Sequence, residues 1–233
     1  MSNSHTILCL YAKPPIPGRT KSRLAADIGN DAAAGLAAAM LLDLVDAMRQ
    51  VPDALPTIWY PPDCNSDDFS ALEIPEDVWL YPQSGDDLGV RMRRTIDLLL
   101  QHHPDSRMVI IGSDCITHSR ESLIDAGHAL SKVDVVIQPA VDGGYVLIGQ
   151  RCRQPAVFDG IVWGGDTVMA ETRQRLATHE ISHIELEETF DIDVLDDLEL
   201  LRAFLAENDR PRTADWLSAF DADPPRVIPG RPE

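Results

Sequence analysis

Little in this chain of 233 residues marks a specialised class of protein. Cysteine is scarce. Cys9, Cys64, Cys115 and Cys152 are widely spaced and form neither a CxxC pair nor the dense framework of a small secreted domain, so reduced thiols are expected. No apolar run approaches the ~18 residues that a membrane span needs. The amino terminus is polar as far as His5 and lacks a charged-then-apolar leader pattern, which places the expected location in the cytoplasm. Basic residues are in the minority, 20 against 38 acidic ones, and the resulting formal charge of -18 argues against an extended nucleic-acid surface, which is built mainly from Lys and Arg. The Walker phosphate loop, the GxSxG elbow and a catalytic cysteine pattern are all missing. There is no internal repeat and no clear interior linker, although residues 61–75 form a polar excursion.

What the chain does have is enough apolar material, 44%, for one sizeable core. A single domain over residues 1–223 is expected, followed by a tail, 224–233, whose four prolines suggest disorder. Against the acidic background, residues 13–24 read KPPIPGRTKSRL and gather Lys13, Arg19, Lys21 and Arg23 with no carboxylate among them. Thr6 to Tyr11 before them has the pattern of a buried strand, and the residues after them can start a helix. Pro14, Pro15, Pro17 and Gly18 hold the connection open and let backbone approach a ligand. The layout is that of a strand-to-helix turn binding a compact anion, with a solvated basic loop as the alternative.

Strand and helix signals alternate along the rest. Helices are expected over 31–50, with Asp31 as cap, and over 88–102, 119–130, 167–177 and 194–205, the last being the final long element. Strands are expected near 57–60, 78–81, 108–111, 133–138 and 145–149. This alternation specifies an α/β fold, a largely parallel sheet with helices on both faces, in which ligands gather beyond the carboxyl ends of the strands.

Three acidic or glycine-rich places fall at such ends. Asp114 follows the strand MVIIG and reads equally as a ligand for Mg2+ or Mn2+ and as a turn residue. Asp142, Gly143, Gly144 and Tyr145 form a DGGY turn that either admits a ligand against the main chain or makes an ordinary hairpin. Asp191 and Asp193 in FDIDVLDDL alternate along an extended segment and so face the same side, whereas Asp196 and Asp197 suit the amino end of the next helix. Weaker candidates are Gln83, Asp86, Asp87 and Arg91, around a loop that contacts a nucleotide or only caps a helix. Trp163 to Thr167 reads as an acceptor-side wall, with Asp166 also a natural cap, and Cys115 with His118 makes poor zinc spacing because no second pair accompanies it.

Taken in order, KPPIPGRTKSRL, GSDC, PAVDGGYVLIG, WGGDTV and FDIDVLDDL resemble the bacterial DUF2064 family of glycosyltransferase A-like proteins over about residues 7–200. That family is similar to nucleotide-diphospho-sugar transferases and, more distantly, to molybdenum-cofactor and 2-phospholactate guanylyltransferases. The resemblance implies a Rossmann-like GT-A fold that uses a divalent cation, Mg2+ or Mn2+, and a nucleotide or nucleotide-sugar. It implies that Lys13, Arg19, Lys21 and Arg23 hold the phosphates, that Asp114 and Asp193 bind the metal, and that Asp142, Gly143 and Gly144 line the acceptor side; Gly18 of the same loop and Asp87, from the reading of the residues, complete the nucleotide-binding candidates. Lys21 and Asp142 are then the catalytic candidates. The implied activity is glycosyl transfer to an unidentified small-molecule acceptor, with nucleotidylyl transfer or plain nucleotide binding as alternatives. The chain departs from the family pattern at Ser22, at Ile116-Thr117 in place of Pro-Asp, and at Gly164-Gly165 in place of Ser-Thr.

Overall fold

In a computed structural model describing residues 5–223, the first strand, β1 (Thr6–Tyr11), runs through the middle of the sheet. Its side chains alternate, Leu8 and Leu10 entering one apolar layer and Ile7 and Cys9 the other, and burial on both faces explains why the strand reads as an unbroken apolar run. The remaining strands are β2 (Ala54–Tyr60), β3 (Trp79–Pro82), β4 (Arg107–Gly112), β5 (Val135–Pro139), β6 (Tyr145–Gln150) and β7 (His183–Glu185). They lie in the order β3-β2-β1-β4-β6-β5-β7. All pairings are parallel except those of β6, which runs antiparallel to both β4 and β5.

Helices cover both faces. α1 (Ser22–Ile28), α2 (Asn30–Arg49), α4 (Arg120–Ala129) and α6 (Asp197–Leu205) pack on the Leu8 side, while α3 (Leu88–His102) and α5 (Val168–Thr178) pack on the Ile7 side. The expected α/β fold, mostly parallel with helices on both faces, is the one observed. No helix among the described residues is long and apolar enough to cross a membrane. The tail 224–233 lies outside the described residues.

The details differ in instructive ways. Asp31 does not cap α2; Gly29, at φ 88°, joins α1 directly to it, and no side chain caps the junction. Strand β7 and a seventh helix, α7 (Pro211–Ala222), lie outside the expected elements. Three residues of strand are too few to display a period, and α7 owes its place to a partner far away in the chain. Asp43, within α2 and only 3% exposed, accepts hydrogen bonds from the backbone N–H groups of Arg212 and Thr213, at 3.2 and 2.8 Å, and from Thr213 Oγ1 at 2.7 Å. The carboxylate of one helix thus satisfies orphan donors at the amino end of another, where the helix dipole also favours it. Asp43→Ala is expected to cost about 3 kcal/mol in urea denaturation, because a charged acceptor is lost from buried donors. A loss below about 1 kcal/mol would mean that apolar contacts alone hold α7.

Candidate functional site

The chain passes from β1 outward to β2 and β3, then returns to the opposite side of β1 as β4. Strand order reverses between β1 and β4, and the crevice beyond their carboxyl ends is where such sheets bind ligands. Tyr11 and Gly112 end the two strands in register, and Ser113 N–H still donates to the Tyr11 carbonyl at 3.1 Å before the loops diverge.

The proline-rich loop after β1 folds on itself: Ile16 N–H donates to the Pro14 carbonyl at 2.8 Å and Arg19 N–H to the Ile16 carbonyl at 3.0 Å. Gly18 takes φ 77° to complete the bend. Lys21 then adopts φ 43° and ψ 49°, a left-handed conformation unfavourable for lysine, and opens α1 from that position. Its side chain is only 1% exposed. The ammonium lies 2.6 Å from Asp114 Oδ1 and donates to the carbonyl of Ile192 at 2.7 Å.

The segment around residue 192 completes the crevice. Ile192 is fully buried between the half-buried Asp191 and Asp193, the alternation expected of an extended segment, and its N–H donates to the Asp114 carbonyl at 2.9 Å. Asp197 accepts from the N–H groups of Asp193 and Val194, at 2.7 and 2.8 Å, turning the chain into α6. Lys21, Asp114 and the 191–193 segment are therefore tied together, though 93 and 171 residues separate Lys21 from its two acceptors. Burial raises the Asp191 carboxyl to about 6, helped by Asp193, Asp142 and then Asp114. Asp193 is raised by burial and by Asp114, while Lys21 and Arg23 oppose the rise.

The cleft has two lobes. The first, about 420 Å³, is bordered by Lys13, Lys21, Arg23 and Arg91 together with Asp114 and Asp193. The second, also about 420 Å³, shares Arg23, Leu88 and Asp193 with the first and continues to Asp142, Gly144, Tyr145, Trp163, Asp166 and Asp191. Antiparallel β6 brings this about, for its first residue lies beside the carboxyl end of β4, so the DGGY hairpin opens on the same edge of the sheet.

Not every candidate from the sequence faces this space. Arg19 turns to the carbonyl of Asp63 and to Cys64 Sγ, in a side recess of about 80 Å³ that shares Lys13 and Pro61 with the first lobe. Asp87 caps α3 by accepting from Val90 N–H at 2.8 Å. Gly18 lies beside the Asn30 side chain, and Gly143 is pressed against the backbone of Asp166. Asp142 borders the second lobe and accepts from Gly144 N–H at 2.8 Å. Asp166 is not the cap of α5; Thr167 occupies that position, leaving Asp166 on the rim. Gln83 and Arg91, read above only as weak candidates, both border the first lobe. Gln83 is fixed by donating to the Trp59 carbonyl at 2.8 Å and Arg91 by donating to the Gly85 carbonyl at 3.0 Å. The signal for Arg91 was its place one helical turn after a capping aspartate, which aims it back over the carboxyl edge of the sheet.

Two of the residues that depart from the family pattern have structural work. Ile116 is buried in the main core, and the Thr117 hydroxyl lies 3.0 Å from that of Thr189, linking the loop after β4 to the strand of residues leading to Asp191. Beyond them His118 is buried, and among the described residues neither ring nitrogen has a partner within hydrogen-bond geometry. Burial pushes its pKa down to about 4, the Val146 backbone opposing and Arg210 assisting. Between pH 6.5 and pH 4 the unfolded chain therefore binds a proton that the folded chain refuses, so stability falls as pH falls through that window, by about 3 kcal/mol for this group. Chemical denaturation at pH 7.0, 5.5 and 4.5 should show the loss in the parent and a shallower loss in His118→Leu; parallel profiles would contradict it.

Asp114 and Asp193 have the chemistry to hold a divalent cation, since both supply carboxylate oxygens and both remain about half exposed to the cleft. Among the described residues no group of three or more His, Cys, Asp or Glu side chains is arranged to hold an ion. Two carboxylates completed by substrate oxygens and water is the mode that Mg2+ and Mn2+ favour at phosphate sites, so the residues fit.

DUF2064, described as "Uncharacterized protein conserved in bacteria", matches residues 44–165. The chain is similar to a solved protein of Desulfovibrio desulfuricans G20 described as a candidate nucleotide-diphospho-sugar transferase. Identity is 32%, coverage is 94% of this chain and 96% of that one, and the TM-score is 0.87. Similarity of fold alone extends to a 4-diphosphocytidyl-2C-methyl-D-erythritol synthase of Anaerococcus prevotii, with 12% identity, coverage of 88% and 97%, and a TM-score of 0.54. It also extends to a CMP:2-keto-3-deoxy-manno-octonic acid synthetase solved with CTP, with 10% identity, coverage of 88% and 99%, and a TM-score of 0.53. No curated protein sequence matches the chain. The family match over half the chain and the likeness to the Desulfovibrio protein over nearly all of it agree with the ordered motifs: this chain belongs to the DUF2064 family.

Proposed function

We propose that the protein is a metal-dependent transferase that takes a nucleotide-diphospho-sugar and passes the glycosyl group to a small-molecule acceptor. The observation that carries this reading is the buried Lys21 ammonium 2.6 Å from Asp114 at the strand switch point, with Asp193 held beside them and Lys13, Arg23 and Arg91 around the same lobe. That cationic lobe suits a diphosphate, and the adjoining carboxylate-lined lobe suits whatever receives the sugar.

In the reaction an acceptor hydroxyl oxygen forms a bond to the anomeric carbon, and the bond from that carbon to the diphosphate oxygen breaks, its electron pair leaving with the nucleoside diphosphate. Lys21 and Arg23 face the charge that grows on the departing oxygens, in a site already organised before substrate arrives. Asp142, on the acceptor side, takes the hydroxyl proton. A divalent cation at Asp114 and Asp193 supplies further charge neutralisation when bound. Incubation with a panel of nucleotide sugars and Mn2+ should release nucleoside diphosphate. Absence of both turnover and nucleotide binding across the panel would overturn the proposal.

Nucleotidylyl transfer is the second reading, favoured by the same four cations, which are enough to grip a triphosphate. Release of pyrophosphate from a nucleoside triphosphate and a phosphorylated acceptor, without release of nucleoside diphosphate from any sugar donor, would select it.

A further inference from the structure

The two lobes differ sharply in charge. The first sets Lys13, Lys21, Arg23 and Arg91 against two aspartates, whereas the second sets Asp142, Asp166, Asp191 and Asp193 against Arg23 alone. The second lobe also has a fixed apolar wall. Trp163 packs its indole onto Gly89 at the start of α3, so closely that a Cβ added there would lie 2.4 Å from the ring, and it meets Tyr145 edge-on with centroids 6.2 Å apart. Tyr145, which lines this lobe, ends in a buried hydroxyl with no hydrogen-bond partner among the described residues.

We infer that the second lobe admits a hydroxyl-bearing acceptor carrying no phosphate or carboxylate, a polyol or sugar whose apolar face lies on Trp163 and whose hydroxyls donate to Asp142 and Asp166. Ionised carboxylates only accept hydrogen bonds, so Asp142, Asp166 and Asp191, the three not assigned to the cation, select a ligand rich in donors. A phosphate in the same space meets Asp142, Asp166 and Asp191 with one arginine in compensation, and that arginine already lies 3.9 Å from Asp193. A concave site with one apolar wall and a few convergent polar groups is the usual form of a small-molecule site. The inference rests on the glycosyl-transfer reading and deepens it, since nucleotidylyl transfer to a phosphorylated acceptor needs the opposite charge in this lobe.

The test uses the full chain with the nucleotide sugar that gives the fastest Mn2+-dependent release of nucleoside diphosphate. Glycerol and glucose are compared with glycerol 3-phosphate and glucose 6-phosphate at equal concentration. The neutral compounds should accelerate release about tenfold over hydrolysis, and their phosphorylated counterparts should be about tenfold less effective. Asp166→Asn should narrow that gap about threefold. Because the gap is a ratio of kcat/KM values, it does not depend on how much of the variant is folded. Donor turnover that phosphorylated acceptors accelerate as well as neutral ones, or that no neutral compound accelerates, overturns this inference alone. Absence of donor turnover and of nucleotide binding overturns the proposed function and this inference with it.

Discussion

Lys21→Met is expected to lower donor turnover by about 10²- to 10³-fold, the range found when a preorganised group that faces developing charge is removed. Methionine keeps the length of the side chain but donates nothing to Asp114 Oδ1 or to the Ile192 carbonyl, the two acceptors that the ammonium now joins at 2.6 and 2.7 Å. Two consequences follow from one deletion. The positive charge that the proposed reaction sets beside the departing diphosphate is gone, and the tie that draws Asp193 toward Asp114 is reduced to the single bond between Ile192 N–H and the Asp114 carbonyl. Lys21→Arg should not restore activity, because a planar guanidinium cannot occupy a slot shaped for a compact ammonium that is 1% exposed. The check is kcat and KM for nucleoside diphosphate release, with circular dichroism to establish that the variant is folded. A folded Lys21→Met protein retaining more than about a third of the parent turnover would remove Lys21 from the mechanism.

Gly143→Ala should produce the second large effect, this time on the fold. Gly143 sits at φ 89°, and a Cβ there would lie 2.1 Å from the backbone oxygen of Asp166. A backbone oxygen cannot rotate away as a side-chain tip can. The carbonyl of Gly143 also accepts from Met169 N–H at 2.8 Å, so the turn and the first turn of α5 must move together. Left-handed strain and the clash sum to about 3 kcal/mol or more. Gly144 next to it supplies the comparison. Its φ is not positive, and the nearest atoms to its added Cβ would be those of the Asp142 side chain, at 3.1 Å. Gly144→Ala should therefore cost under about 1 kcal/mol. Urea denaturation of the two variants measures the difference directly, and equal losses would show that the close approach of the hairpin to Asp166 is not what fixes the second lobe.

These two residues also show how far the sequence could be read. The buried strands were legible because burial on both faces leaves continuous apolar runs, and α3 was legible because Asp87 and the apolar period after it mark a helix start. The meeting of Lys21, Asp114 and Asp193 was legible only as an ordered set of motifs at strand ends, since no local pattern joins residues 93 positions apart. Arg19 shows the limit. In the sequence it is one of four equivalent basic residues, and only the bend at Gly18 and the left-handed turn at Lys21 decide that Lys21 enters the crevice while Arg19 turns to Asp63 and Cys64. Asp166 shows the same limit from the other direction, for its letters suit a helix cap, whereas α5 starts one residue later and leaves it on the cleft. Helix α7 was invisible because the feature that anchors it, Asp43, lies within a different helix.

Isothermal titration with nucleoside diphosphates, with and without Mn2+, tests most directly whether Lys21, Asp114 and Asp193 assemble the proposed cation-assisted diphosphate site. The parent protein should bind at least one of them about tenfold or more tightly when Mn2+ is present, and Asp114→Asn and Asp193→Asn should each abolish that gain. Affinity that ignores the cation, or a gain that survives in both variants, would contradict the site described above.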